Sequence, residues 1–180
     1  MGIEQGMITI VIGTNRHHAK SKWVGNWVKE LLESHQVESQ FLDLADLPED
    51  ITVSALYEKS GKNEQLNALS AKMLQSEKFF FIVPEYNGSF PGVLKVFIDA
   101  LPYPNPLAGK KASLIGISSG MQGGGLALSH LTDILHYLGV QVLAQKTKLA
   151  FIEKNLKGET LGNDLYQQLL TEQVDAFLNF

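Results

Sequence analysis

The stretch Phe79–Leu101, "FFFIVPEYNGSFPGVLKVFIDAL", runs from a block of apolar residues through a polar turn onto residues spaced as on a helix. Phe79–Val83 is apolar at every position, the pattern of a strand covered on both faces. Val93, Leu94, Phe97, Ile98 and Leu101 then recur at helical spacing. Between them, Pro84 has no N–H to give a ladder, so the strand is expected to end there. The amides of Glu85, Tyr86 and Asn87 would then donate outward, matching a flat heteroaromatic ring with acceptors along one edge. A simpler reading makes the same residues a turn into the helix, with Asn87 or Ser89 as cap and Pro91 in the first turn. The two readings are compatible.

Outward from this stretch, strand and helix patterns alternate. Met7–Ile12 is a short β-rich run ending at Gly13. Trp23, Val24, Trp27, Val28, Leu31 and Leu32 mark a helix, and Val37–Leu44 alternates as a second strand. Leu66, Leu69, Met73 and Leu74 suggest the next helix. Ala112–Ile117 predicts a fourth strand. Leu126–Leu138 predicts a helix stopped by Gly139. Val140–Ala144 reads as a fifth strand, and a last helix falls within Leu161–Leu178. Two stretches look irregular: Ala45–Gly61, a long loop with a helical turn, and the proline-rich Pro102–Pro106. Five alternations imply a parallel sheet with helices on both faces. No linker or repeat divides the chain, so residues 1–180 are expected to form one domain.

Composition narrows the function. The 180 residues are 44% hydrophobic and 19% charged, which suits a globular chain. A net charge of −4 argues against nucleic acid or an anionic membrane as partner. The chain has no cysteine, which excludes thiolate catalysis and cysteine-ligated metals. No apolar run approaches the roughly 20 residues needed to span a bilayer. "MGIEQGM" lacks the pattern of a signal peptide, and Gly6 stands where myristoylation wants Ser or Thr. A cytoplasmic protein is expected.

In a doubly wound sheet, ligands bind beyond the carboxyl ends of the strands, near the switch in strand order. Two more unusual loops fall there. "GTNRHHAKSK", Gly13–Lys22, joins a strand to a helix N-terminus, where free amides favour an anion. Thr14 and Ser21 offer hydroxyls and Arg16 a planar donor fork. Capping by Thr14 and Ser21 with a solvated Arg16 would explain the loop equally well. It is neither a Walker loop nor the dinucleotide Gly-x-Gly-x-x-Gly. His17 and His18 have no carboxylate cluster beside them and read as solvated polar residues, not metal ligands. "SSGMQGGGLA", Ser118–Ala127, has enough glycine for close backbone approach to a ligand; taken alone it reads more simply as a flexible loop with no ligand. Together the three loops suit a mononucleotide with a large flat ring.

These motifs resemble those of the NADPH-dependent FMN reductase family of flavodoxin-like flavoproteins. "PEYNGSFPGVLKVFIDAL" has every specified position of that family's signature, Pro-Glu-Tyr-Asn-Gly-Ser-x-Pro-Gly-x-Leu-Lys-x-x-Ile-Asp. "GTNRHHAKS" is similar to its phosphate loop, with Ala19 in place of a usual Ser, and Ser21 close by. "SSGMQGGGLA" resembles its glycine loop, with Leu126 in place of a usual Arg. The resemblance implies a five-stranded parallel sheet of order 2-1-3-4-5. It implies non-covalent FMN, with Thr14, Arg16 and Ser21 at the phosphate and Pro84, Glu85, Tyr86 and Asn87 along the ring edge. Ser118, Gly120 and Gly123 would lie on the pyrimidine side. It further implies a homodimer or homotetramer, and NAD(P)H reducing a small acceptor such as a quinone, flavin, azo compound or metal oxyanion. No side chain is assigned as catalytic, since the flavin carries the chemistry. The alternatives are an electron carrier that docks to a protein and a flavin-free interaction module.

Overall fold

A computed structural model describes residues 6–180. Residues 1–5, which carry most of the N-terminal segment read for leader and acylation patterns, lie outside the described residues. The strands β1 (Ile8–Ile12), β2 (Ser39–Asp43), β3 (Lys78–Pro84) and β4 (Lys111–Ile117) form a parallel sheet, with the short β5 (Gln141–Val142) and β6 (Thr147–Leu149) beside β4. The order is β2-β1-β3-β4-β5, the flavodoxin-like order expected from the resemblance. The helices are α1 (Lys20–Ser34), α2 (Ile51–Ser54), α3 (Glu64–Leu74), α4 (Gly92–Asp99), α5 (Gly125–Tyr137) and α6 (Asp164–Leu178). A small antiparallel pair, β7 (Leu156–Lys157) and β8 (Thr160–Leu161), precedes α6.

The apolar run on β3 divides by alternation, as strand geometry requires. Phe79, Phe81 and Val83 enter a core shared with α3, α4 and α5. Phe80 and Ile82 enter a second core with Val24, Val28 and Leu32 of α1 and Leu170, Val174 and Phe177 of α6. Phe80 meets Phe177 edge-on, with ring centroids 4.8 Å apart. Both faces of β3 are therefore covered, and its carboxyl end is the part that meets the loops. Helix α5 closes as expected: Gly139 has φ of 79°, and Val140 N–H donates to Leu135 O at 2.9 Å.

Three expectations need correction. Leu74 is 66% exposed, so the buried face of α3 is Leu66, Leu69 and Met73. Strand β3 ends at Pro84 as expected, but the Glu85 amide does not turn outward: its N–H donates to Ile117 O at 2.9 Å. Successive strand amides point to opposite neighbours. The donor missing at Pro84 faces the β1 side, where pairing has already stopped at Ile12↔Ile82.

The third correction is the fifth strand. It does not run unbroken through Val140–Ala144. Pairing with β4 stops at Val142 and resumes at Thr147, opposite Ile115. The gap is filled by Gln173 of α6, a fully buried side chain. Its Nε2 donates to Ser113 Oγ at 2.7 Å and Leu114 O at 2.9 Å, and its Oε1 accepts from Thr147 N at 2.7 Å. One amide thus replaces the missing ladder contacts. Lys146 Nζ caps the displaced chain by donating to Leu143 O at 3.1 Å.

Gln173→Leu keeps the volume but leaves Leu114 O and Thr147 N buried without partners. We expect a loss of roughly 2–4 kcal/mol, read as a lower urea midpoint with an unchanged slope. A loss under about 1 kcal/mol would mean that the neighbouring strands close the gap themselves.

Candidate functional site

The loops after β1, β3 and β4 surround a cavity of ≈ 390 Å³ at the carboxyl end of the sheet. Thr14, Arg16, Ser21, the Pro84–Asn87 run and Ser118 all line it. Gly120 lines an adjoining cavity of ≈ 310 Å³, which shares Glu85 and Ser118 with the first. Gly123 lies deeper. Its φ is 58°, and an added Cβ would stand 2.7 Å from the Lys148 carbonyl carbon. Its missing side chain therefore lets the glycine loop rest on β6.

At one end of the cavity the chain leaves β1 with Gly13 N–H donating to Ile82 O at 2.9 Å. Thr14 is 1% exposed. Its Oγ1 lies 2.8 Å from Tyr86 Oη and accepts from Arg16 N at 3.2 Å. This pairing ties the loop after β1 to the loop after β3. Helix α1 begins without a side-chain cap, because its N-cap is Ala19, and its first turn has no acidic residue. The Lys22 amide donates to Ala19 O at 2.9 Å, while those of Lys20 and Ser21 have no acceptor among the described residues and are left for an external one, where the helix dipole favours an anion. Ser21 is 2% exposed and sits in that turn. The Arg16 guanidinium is exposed and has no ion-pair partner among the described residues. Lys22, the residue after Ser21, is already engaged by Asp43 at 2.9 Å.

The loop after β3 differs from its expected form. Tyr86 N–H donates to Ser89 O at 2.8 Å, and Ser89 N–H returns a bond to Tyr86 O at 3.1 Å. Asn87 and Gly88 between them have φ of 52° and 76°. This is a two-residue hairpin of the type I′ kind that Asn-Gly favours. The amides of Glu85 and Tyr86 are therefore used inside the protein. Of the three amides expected to face outward, only that of Asn87 has no partner among the described residues. The Glu85 side chain supplies a different feature: its Oε2 is buried and without a hydrogen-bond partner among the described residues. A buried acceptor of this kind calls for a donor, and a ring N–H would provide one.

The residues that sequence reasoning missed come from the turn after β6. Phe151 N–H donates to Gly120 O at 3.0 Å and Ile152 N–H to Ser118 O at 3.1 Å, clipping this turn to the glycine loop. Glu153 then reaches across the cavity. Its Oε1 accepts from Ser119 Oγ at 2.9 Å and pairs with Lys20 Nζ at 3.3 Å. Burial alone would raise the Glu153 pKa. Its own backbone N–H, the Ser119 hydroxyl and the Lys20 ammonium outweigh that and hold it below the usual carboxylate value. Glu153 belongs to none of the loop motifs, so only its place after the split strand reveals it.

The chain is similar to known proteins over most of its length. The profile of the family described as NADPH-dependent FMN reductase matches residues 7–151. A 2-hydroxy-1,4-benzoquinone reductase from a Burkholderia species is 30% identical over 141 residues, covering 77% of this chain and 74% of that protein. An FMN-dependent NADPH-azoreductase from Staphylococcus aureus is 28% identical and covers 94% of each chain. Among solved structures, the flavoenzyme NAD(P)H:(acceptor) oxidoreductase FerB from Paracoccus denitrificans superposes with a TM-score of 0.77 at 27% identity, covering 97% of this chain and 96% of that one.

The Glu153 contacts give a titration with a defined sign. A carboxyl whose pKa is depressed by folding adds stability above its unfolded value, and that stability is lost as pH falls through the folded value. In Ser119→Ala, carbon-13 NMR should show the Glu153 carboxyl titrating at higher pH, closer to an ordinary glutamate. The small stability advantage of the unsubstituted protein should be present at neutral pH and vanish below the carboxylate range. An unmoved titration would show that the Ser119 contact does not form in solution.

Proposed function

Because the chain belongs to the NADPH-dependent FMN reductase family, we propose that it passes electrons from NAD(P)H through bound FMN to a small acceptor. The acceptor classes are quinones, flavins, azo compounds and metal oxyanions. The chemistry that bound FMN supplies is two-electron transfer: hydride in from NAD(P)H, electrons out to the acceptor. The observation that carries the reading is one continuous site with an uncapped helix N-terminus beside Arg16 at one end and the orphaned Glu85 Oε2 near the other. The first would take a terminal phosphate and the second the N–H of a flavin pyrimidine ring.

The residues divide the work. Thr14, Arg16, Ser21 and the first-turn amides of α1 would hold the phosphate. Pro84–Asn87 would line the ring edge, with the Asn87 amide as the outward donor of that loop. Ser118 and Gly120 would border the pyrimidine side, while Gly123 supports their loop from behind. No side chain needs to act as acid or base, so none is given a catalytic role. A cavity of ≈ 390 Å³ suits a mononucleotide with donor and acceptor visiting its open side in turn, which is a ping-pong scheme. We further propose one flavodoxin-like domain over residues 1–180, a homodimer or homotetramer, and a cytoplasmic location. Among the described residues no helix is long and apolar enough to cross a membrane.

Arg16→Ala tests the phosphate role. FMN affinity should fall roughly ten- to a hundredfold, the worth of a hydrogen bond to a charged group. Riboflavin, which lacks the phosphate, should lose little. Equal losses for both would place Arg16 in folding. For the activity, NAD(P)H oxidation should be followed across a panel of quinones, azo dyes and free flavin. Double-reciprocal plots at several acceptor concentrations should be parallel. Intersecting lines would end the shared-site scheme. FMN binding without oxidation of NAD(P)H would favour the electron carrier.

A further inference from the structure

The charged side chains lining the main cavity are Arg16, Lys20, Glu85 and Glu153. Two cations face two carboxylates, an even balance for a site that must accept a phosphate. Lys20 stands in the first turn of α1, beside the uncapped amides, yet its ammonium is paired with Glu153 at 3.3 Å. Lys22 does not redress the balance. It is held by Asp43 at 2.9 Å and lies 4.1 Å from the centre of the Phe41 ring.

Glu153 is held in place by its backbone. Phe151 adopts φ of 47°, which turns the chain sharply before the carboxylate. Phe151 and Ile152 are clipped to the glycine loop by the bonds described above. Asn155 Nδ2 closes the turn by donating to Ala150 O and Phe151 O, both at 3.0 Å. Ser119 then fixes the carboxylate itself. The negative charge is therefore positioned across the cavity from the phosphate loop.

We propose that Glu153 is a specificity-determining residue that competes with the cofactor phosphate for Lys20 and so limits the preference for FMN over riboflavin. The inference rests on the FMN reading above. A phosphate bound at α1 meets Arg16, which has no ion-pair partner among the described residues, and must share Lys20 with a carboxylate. Neutralising Glu153 releases that ammonium to the phosphate and removes a repulsive charge in the same step. Riboflavin carries no charge at that end and is indifferent to both effects.

The test measures FMN and riboflavin dissociation constants by quenching of flavin fluorescence on the full apoprotein. Four proteins are compared: unsubstituted, Glu153→Gln, Lys20→Gln and the double variant. Glutamine keeps an acceptor for Ser119 while losing the charge. Glu153→Gln should bind FMN roughly three- to fivefold more tightly, the range for a partly exposed ion pair, with riboflavin unchanged. In the Lys20→Gln background most of that gain should disappear. Equal changes for both flavins, weaker FMN binding, or a full gain without Lys20 would each overturn the proposal. If the unsubstituted protein prefers FMN and Glu153→Gln leaves that preference unaltered, the proposal alone fails. If the unsubstituted protein binds neither flavin, the FMN reading fails and takes the proposal with it.

Discussion

The amide of Gln173 is the contact on which the upper half of the sheet depends. Strand β4 needs a partner on its outer edge along its whole length, yet the chain beside it leaves the sheet between Val142 and Thr147. A buried carbonyl with no donor costs about 1–3 kcal/mol, so such a departure is tolerable only if something replaces the ladder. Gln173 does this from the opposite layer, with its donors on β4 and its acceptor on β6. Because β6 is pinned there, Leu149 O can accept from Ser118 N–H at 3.1 Å, and the turn after β6 sits against the glycine loop. The placement of Ser119, Gly120 and Glu153 around the cavity follows from an interaction far from any motif.

Much of the fold was legible because it rests on periodicity. The unbroken apolar run of β3 announced two covered faces, and the structure assigns its alternate residues to two separate cores. The three loops were found because Gly, Pro, Asn and hydroxyl residues cluster where chains turn at strand ends. The residue-level picture was less accessible. Asn87-Gly88 carries the signal of a tight hairpin, but the helix-forming context of Pro91 drew attention to capping instead. The direction of the Glu85 amide depends on strand parity across two neighbours, which a single segment does not contain. Gln173 looks like any polar residue on an amphipathic helix, since the pattern does not say which polar side chain faces a gap.

The site's electrostatics also depend on pairing and not on composition. Three basic residues, Arg16, Lys20 and Lys22, fall within the seven positions 16–22 of the first loop and helix turn, the histidines set aside. Of these, Lys22 and Lys20 meet Asp43 and Glu153, while Arg16 has no such partner among the described residues. A count of basic residues would overstate the field that an anion meets. Exposed pairs of this kind add little to stability, so their main effect is on what the cavity attracts.

The hydroxyls of Thr14 and Tyr86 share one hydrogen bond, and either can donate. Thr14 Oγ1 already accepts from the Arg16 amide. If Thr14 donates to Tyr86, the phenol proton is left to serve whatever lies beside the loop after β3. If Tyr86 donates, Thr14 has both lone pairs engaged and its own proton is free to turn toward the helix end. An anion seated at that end would favour the second arrangement. The two arrangements differ only by rotation about the two C–O bonds, with no movement of the backbone.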